Sequence, residues 1–461
     1  MKTTVLARVR RFAQASLGLG AAAILGVMTF SACDQNFSAP DPNAPTTDAL
    51  IPVQPLITGT LANWRYTEIN EFMAIMGRES YTSAGDDPRI NTQPIRNAFD
   101  ATAFIVNRPW NSMYYSIKNA RNLVEFASKL SGTEKAGLEG VAKTIWAHEL
   151  VRLSGVYYNE GIKIQYINAP TAPFVNRAAS LAEAAKLLDE AATSLSSAGS
   201  SFSFSLGNGF VGYNNPQGFL RVNRALRARV AAYQGDYAAC QTALAASFLN
   251  EGNTSAAMNM GVFHVYSTAA GDVPPGSGRG SGGNPFFQNL AATAIRWWAH
   301  KDYVSDNTDN TIDTRVRQKA VTPASIPVPF SIIAGGGLTS SYAINIFPDP
   351  FSPTAIIRNE ELLLLRAEAR MLGATPDLAG ALADINRVRA AANAPALTTL
   401  GADRNAQISR LLYERRYSLF FEGFRWVDLR RFDRLGDIKA ELANHVVNTT
   451  GFPKPVNEIP Q

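Results

Sequence analysis

Between Ala225 and Phe248 the chain spells out a helical hairpin. An alanine-rich apolar run to Tyr233 meets Gln234-Gly235-Asp236, and Tyr237, Cys240, Leu244 and Phe248 come next at three- and four-residue steps. Alanine-rich helix, short glycine turn, aromatic residue and second helix is the order of a tetratricopeptide-type hairpin. One such hairpin cannot bury its apolar face alone, so it demands stacked neighbours. A second copy lies near the C-terminus, where Leu362 to Leu372 leads through a turn from Gly373 to Pro376 into Leu378, Ala381, Ile385, Val388 and Ala392. Its longer turn marks the repeat as degenerate. The expected fold is mostly α, with degenerate tetratricopeptide-like hairpins stacked as a scaffold.

Helical periodicity extends this reading. Leu61, Trp64, Glu68/Ile69, Phe72 and Ile75/Met76 form one run; Trp110, Met113/Tyr114, Ile117, Arg121 and Val124 form another. Leu138, Val141, Ile145, Trp146, Leu153 and Val156/Tyr157 make a third. The fourth, Leu181 to Leu195, is expected to open with a capping box of Ser180 and Glu183. From about Asn250 to Thr354 the period disappears and Gly, Pro, Ser, Asn and Thr dominate, with few short strands such as Tyr342 to Phe347. The body therefore divides into N-terminal hairpins (49–249), a loop-rich insertion (250–355), a C-terminal hairpin with its charge-rich continuation (356–435) and a tail (436–461). Loops of this length are usually functional or mobile.

The N-terminus decides the compartment. Lys2, Arg8, Arg10 and Arg11 precede an uncharged stretch from Phe12 to Ala32 that ends in Phe30-Ser31-Ala32-Cys33. This reads as a signal peptide over 1–32; Gln14, Ser16 and three glycines argue against a membrane-spanning helix. Phe-Ser-Ala-Cys resembles the lipobox of bacterial lipoproteins, although Phe30 replaces the usual aliphatic residue. That resemblance implies acyl chains on Cys33 and a membrane anchor, each buried methylene contributing roughly 0.8 kcal/mol. Residues 33–48, with Ser-Ala-Pro-Asp-Pro-Asn-Ala-Pro, suit a lipidated flexible tether. Arg10-Arg11 stands without the rest of a twin-arginine motif, and Asp34 leaves the destination membrane open. Removing residues 1–32 leaves 39 basic and 38 acidic residues, so the formal charge falls from +5 to +1. The basic isoelectric point thus gives no nucleic-acid footprint. With Cys33 lipidated, Cys240 is the only thiol left and is expected to be buried and inert.

Catalytic signatures are scarce. Gly278, Gly280 and Gly283 match the letters of a dinucleotide fingerprint, but Pro274-Pro275 precedes them and Asn284-Pro285 comes after, where a strand and a helix belong. His148-Glu149-Leu150-Val151-Arg152 has Arg where a zinc protease needs its second His. His264, His300 and His445 stand alone, and no nucleophile elbow or P-loop occurs. Asp302, Asp306, Asp309 and Asp313, with Asn307 and Asn310, offer oxygen ligands for a structural calcium ion, but the spacing is not that of an EF-hand. A solvated acidic loop is the preferred reading. No catalytic residue, metal ligand or cofactor is assigned, and the chain is not expected to be an enzyme.

Three blocks near the C-terminus carry a resemblance. Ile356-Ile357-Arg358-Asn-Glu-Glu361 continues through Arg366 to Glu368-Ala369, Asn386-Arg-Val388-Arg389 is the second block, and Glu414-Arg415-Arg416 runs on to Glu422-Gly423-Phe-Arg425-Trp-Val-Asp428-Leu429-Arg430-Arg431-Phe432. Their order and spacing resemble the signature of the SusD/RagB family of outer-membrane nutrient-uptake lipoproteins. Asp313-Thr-Arg315 is similar to that family's Asp-x-Arg, and Trp110 with Tyr114, Ile117 and Asn119 to its N-terminal helix. The resemblance implies a lipid-anchored cell-surface protein that captures an oligosaccharide, or a peptide, and delivers it to a TonB-dependent SusC-like outer-membrane transporter. The dense charges of the signature have two readings, an anion patch or a network of Arg–carboxylate pairs; bidentate geometry favours the network.

Ligand residues belong to no family motif, so the site is sought from physics: an aromatic platform for sugar C–H faces beside amides and charges. Two loops qualify, one with Arg78, Tyr81, Asp86, Asp87, Arg89 and Asn91, the other with Trp297, Trp298 and Tyr303. Adjacent residues rarely face the same way, so at least one tryptophan of the pair is expected in the core. Trp64, Trp110, Trp146 and Trp426 are expected to be core as well. Two other classes remain open: a scaffold lipoprotein that binds only proteins, and a surface glycan hydrolase.

Overall fold

The structure, a computed structural model, describes residues 52–458 except 84–86, 166–171, 268, 270–271, 273–282, 310 and 333–336. The signal peptide, Cys33, the tether, Asp86, Asn310 and most of the glycine run before Gly283 lie outside the described residues. Residues Val53–Gln461 make one compact unit.

Helices α1 (Val53–Trp64), α2 (Ile69–Met76) and α3 (Arg89–Arg96) lead into the long pair α4 (Phe104–Ala127) and α5 (Gly132–Val156), followed by α6 (Arg177–Ser196), α7 (Pro216–Gln234) and α8 (Tyr237–Ala245). From α4 to α8 each helix packs on its sequence neighbour, the arrangement of a repeat stack. The hairpin of α7 and α8 owes its turn to local chemistry. Asn215 caps α7 by accepting from the Gly218 amide at 2.8 Å, Gly235 closes it in the left-handed region (φ 75°), and Asp236 caps α8 through the Ala239 amide at 3.0 Å.

Two sequence expectations shift. The run from Leu61 to Met76 is two helices, because the chain breaks over Arg65 to Glu68. The fourth helix opens at Asn176, not Ser180: the Asn176 side chain accepts from the Ala179 amide at 2.9 Å, while Ser180 lies in the first turn, donating to the Asn176 carbonyl at 2.9 Å. An asparagine in extended conformation one turn earlier satisfies the free amides first.

The insertion carries short helices α9 (Ser255–Met258), α10 (Lys301–Ser305) and α11 (Thr314–Lys319). β1 (Ser80–Thr82), β3 (Trp297–Ala299), β7 (Ala343–Ile344) and β4 (Ala320–Val321) form one sheet in that order; β2 (Gly261–His264) pairs with β8 (Thr354–Arg358), and β5 (Phe330–Ser331) with β6 (Thr339–Ser340). The strands of the insertion pair antiparallel with one another, with β1 from the N-terminal part and with β8 at its end. The β2–β8 ladder joins the two ends of the insertion, Gly261 opposite Arg358 and His264 opposite Thr354. The chain therefore returns where it left. Helix α12 (Asn359–Leu372) resumes the stack against α7 and α8, α13 (Leu378–Ala391) and α14 (Arg404–Ser418) pack on α12, and α15 (Arg425–Arg431) bridges α14 and α2. The insertion is more than loop: Phe286, Trp297, Tyr303, Val316, Ile344 and Phe347 make their own core with Tyr417, Phe420 and Phe421 at the end of α14 and just past it. Cys240 is buried in the stack, its thiol facing the Leu365 carbonyl.

Candidate functional site

The two loops singled out from sequence meet in space, because β1 and β3 are paired strands with Tyr81 opposite Trp298. They do not form a ligand platform. Trp297 enters the insertion core and donates its indole N–H to Glu71 at 2.9 Å, whereas Trp298 enters the main core and stacks on Phe330 with ring centroids 4.6 Å apart. The alternation of a strand sends the two rings to opposite faces, but this sheet is covered on both, so both are buried. Tyr303 is buried against Phe420 and donates to the Arg315 carbonyl at 3.0 Å. Tyr81 is buried and hydrogen-bonded to Glu441.

The polar candidates divide in the same way. Arg78 is buried, donating to the carbonyls of Ile75 and Ile95 at 3.1 Å, and Asn91 closes the loop by exchanging hydrogen bonds with the Thr82 backbone at 2.7 and 3.0 Å. These are loop-fixing contacts. Asp87 and Arg89 alone keep solvent contact, as a pair 2.6 Å apart. Of the helical tryptophans, Trp64, Trp110 and Trp426 are buried, while Trp146 is half-buried beneath Arg121.

Most of the signature charges form ion pairs, whereas Arg425 and Arg430 donate to the Gly77 and Gly155 carbonyls. Glu414 joins Arg315 and Arg389, both at 2.8 Å; Arg415 meets Asp428 at 2.6 Å, and Arg431 links Asp428 to Glu368. Burial works against the Arg315 charge, but Glu414 and Asp313 outweigh it and hold the guanidinium above its usual range. The acidic loop is not simply solvated: Asp306 pairs with Arg416, Asp309 with Arg389 and Asp313 with Arg315. Among the described residues no cluster of three His, Cys, Asp or Glu side chains is placed to hold a metal ion.

What the structure adds is a cleft of about 720 Å³ between the insertion and the helices after it. Phe263 of β2, Phe347 and Phe421 supply aromatic surface; Asn70, Asn259, Gln318 and Asn345 supply amides. Its charged wall is Arg315, Lys319, Arg358, Glu360 and Glu422. Arg358 bridges Glu360 and Glu422, the latter at 2.7 Å, and Lys319 donates to the carbonyls of Tyr417 and Ser418 at 2.9 and 2.7 Å. Desolvation pushes the Lys319 ammonium down to about 8. Neutral donors and acceptors beside the part-exposed ring of Phe263, with the core rings of Phe347 and Phe421 behind it, suit a polar, hydroxyl-rich ligand. The charged wall comes largely from the signature blocks, whereas the segments that bring Asn70, Asn259, Phe263, Gln318 and Asn345 carry no site motif in the sequence and meet only on folding.

The fold and cleft define a helical-repeat scaffold whose inserted segment builds an open polar groove. Residues 352–458 match the family model described as the SusD family. The fold resembles a SusD superfamily protein from Bacteroides vulgatus (TM-score 0.64, 16% identity, 88% of this chain and 95% of that one). It also resembles a laminarin-binding SusD-like protein (TM-score 0.60, 15% identity, 87% and 95%) and a structure with a xylogluco-oligosaccharide (TM-score 0.58, 14% identity, 82% of each). No curated protein matches. Residues 352–458 thus match the family whose signature they resemble, and the chain shares its fold with SusD-like structures.

Proposed function

We propose that this protein is a surface nutrient-binding lipoprotein that captures an oligosaccharide in the cleft and passes it to a TonB-dependent SusC-like transporter. The observation that carries the reading is the cleft itself, with the part-exposed Phe263 for a pyranose C–H face and the amides of Asn70, Asn259, Gln318 and Asn345 for hydroxyls. The laminarin and xylogluco-oligosaccharide of the similar structures support a glycan as the ligand class. Cys33 would carry the lipid, with 33–48 as the spacer that holds the body off the outer leaflet. No helix of the described residues is long and apolar enough to cross a membrane, and the anchor in this reading is that lipid. Capture requires no bond making, so no residue is given a catalytic role. The cleft replaces the loops at 78–91 and 297–303 as the proposed site.

The test is calorimetric titration of the mature lipoprotein in detergent with a panel of neutral oligosaccharides, beside the double variant Asn259→Ala/Asn345→Ala. Saturable binding, weakened tenfold or more in the variant, is expected. Co-purification of a large barrel would support delivery. Absence of saccharide binding, with only soluble protein partners recovered, would overturn the reading in favour of a protein-binding scaffold; turnover of the glycan would favour a hydrolase.

A further inference from the structure

Against the cleft lies a second space of about 100 Å³, set between the repeat helices and the signature segment. Asn70, Ala355 and Glu422 border both, so the two share a wall. Within that wall the Asn70 side chain is part-exposed and hydrogen-bonds to no described residue. At about 100 Å³ the chamber is smaller than the roughly 150 Å³ cavity that takes a benzene ring, so it suits a small planar group better than a sugar ring.

Its lining offers donors without acceptors. Arg229 is only 4% exposed; Nε and Nη2 go to Glu361 at 2.6 Å and Nη2 also to the Ile356 carbonyl, leaving Nη1 with no acceptor among the described residues. His148 accepts the Trp64 indole proton at Nδ1 at 2.9 Å, which places its own proton on Nε2. His264, 5% exposed, touches Trp64 edge-on, and its imidazole has no hydrogen-bonding partner among the described residues. Arg152 adds a second guanidinium, held by Glu149 at 2.9 Å and the Tyr66 carbonyl at 2.6 Å. Burial, and then the surrounding guanidiniums, keep both imidazoles neutral, His148 down to about 4 despite Glu149 beside it. The carboxylate at the edge, Glu422, is engaged by Arg358 at 2.7 Å. Donors that line a small chamber without a protein acceptor are open to a ligand, and a charged acceptor satisfies them best.

We propose that this chamber is a subsite for the carboxylate of a uronic acid residue in the captured glycan, an assignment that rests on the glycan-capturing role argued above. The sugar ring stays in the cleft, and its carboxylate passes Asn70 to meet Arg229 Nη1 and the ring N–H groups of His148 and His264. The preferred ligand is therefore an oligosaccharide that carries a uronic acid residue, while neutral sugars are held by the cleft alone.

The chain has four histidines, so ¹³C-histidine labelling of the mature lipoprotein in detergent gives a spectrum simple enough to follow the chamber directly. Titration with glucuronate is expected to shift the His148 and His264 signals saturably, with N-acetylglycine at least tenfold weaker and glucose without effect. Val151→Phe, which fills the chamber from α5, and His264→Phe, which removes a donor, are each expected to abolish the shift while neutral oligosaccharide still binds the cleft. A thermal melt shows which of the two variants is folded. Unmoved signals with glucuronate, an equal response to glucose, or tighter binding of N-acetylglycine would overturn the assignment. Because the readout is a free monosaccharide at two named rings, it fails or succeeds whether or not an oligosaccharide binds the cleft.

Discussion

Glu79→Gln should make the protein more stable above neutrality and leave it nearly unchanged at mild acidity. Glu79 is fully buried just before β1, its backbone held by the Ala74 carbonyl and the His300 amide, both at 2.8 Å. Its two carboxyl oxygens form no well-shaped hydrogen bond with any described residue. Burial raises the carboxyl to about 8, with only partial relief from Arg425, Arg416 and the Phe421 amide. Between the usual carboxylate value and 8, the folded state keeps a proton that the unfolded state has lost. Stability is thus complete below about pH 4.5 and declines as pH rises, levelling off above about 8. At about 1.4 kcal/mol per pH unit the full decline is about 5 kcal/mol. The glutamine side chain cannot ionise, so the substitution removes that slope while keeping the shape of the group. Urea unfolding followed by tryptophan fluorescence at pH 5, 6, 7 and 8 measures the difference between variant and parent. A gap that opens by several kcal/mol across this range is expected; a gap independent of pH would refute a buried neutral carboxyl.

Three further outcomes are expected from the packing and the N-terminus. Glu414→Gln leaves Arg315 and Arg389 buried with half their partners gone, and urea unfolding should show a loss of about 3–5 kcal/mol. Trp298→Ala opens a cavity beside Phe330 and should cost about 3–5 kcal/mol by the same measurement, whereas a solvent-facing sugar platform would lose affinity with little change in stability. Cys33→Ser should move the protein from the detergent phase to the aqueous phase on Triton X-114 partitioning; retention in the detergent phase would mean that the apolar N-terminus itself anchors the chain.

How much was legible depended on how local the physics is. The α7–α8 hairpin could be read because Gly235, Asp236 and the alanine stripe act within a few residues of one another. The start of α6 could not, because Asn176 and Ser180 both carry capping side chains and only the backbone conformation chooses between them. Trp297-Trp298-Ala299 did contain a usable signal: an uninterrupted apolar run suits a strand buried on both faces, and its aromatic content drew attention away from that. The signature was the opposite case, since alternating Arg and carboxylate residues pointed to pairing before any geometry was known. The amides of the cleft had no local mark at all. Asn70, Asn259, Gln318 and Asn345 are ordinary amides in four separate segments, and only the β2–β8 ladder and the return of α12 onto α8 bring them together.

That assembly separates the residues that hold the groove from those that would read a ligand. Arg358, Glu360, Glu414 and Arg315 are buried, tied to one another or to α14, and each substitution there leaves a charge without a partner. Asn259 and Gln318 lie exposed on the rim, in segments whose backbone is already fixed by the short helices and by the β2–β8 pairing. Changing a rim side chain alters what the groove can hydrogen-bond while disturbing no buried pair, a change usually within about 0.5 kcal/mol of neutral for stability. In the proposed reading the charged frame would hold the groove while the rim side chains set what it hydrogen-bonds. If the groove binds a ligand, its frame would come from the signature and its variable contacts from the inserted segment, so that substitutions on the rim should change ligand preference and those in the signature should change stability.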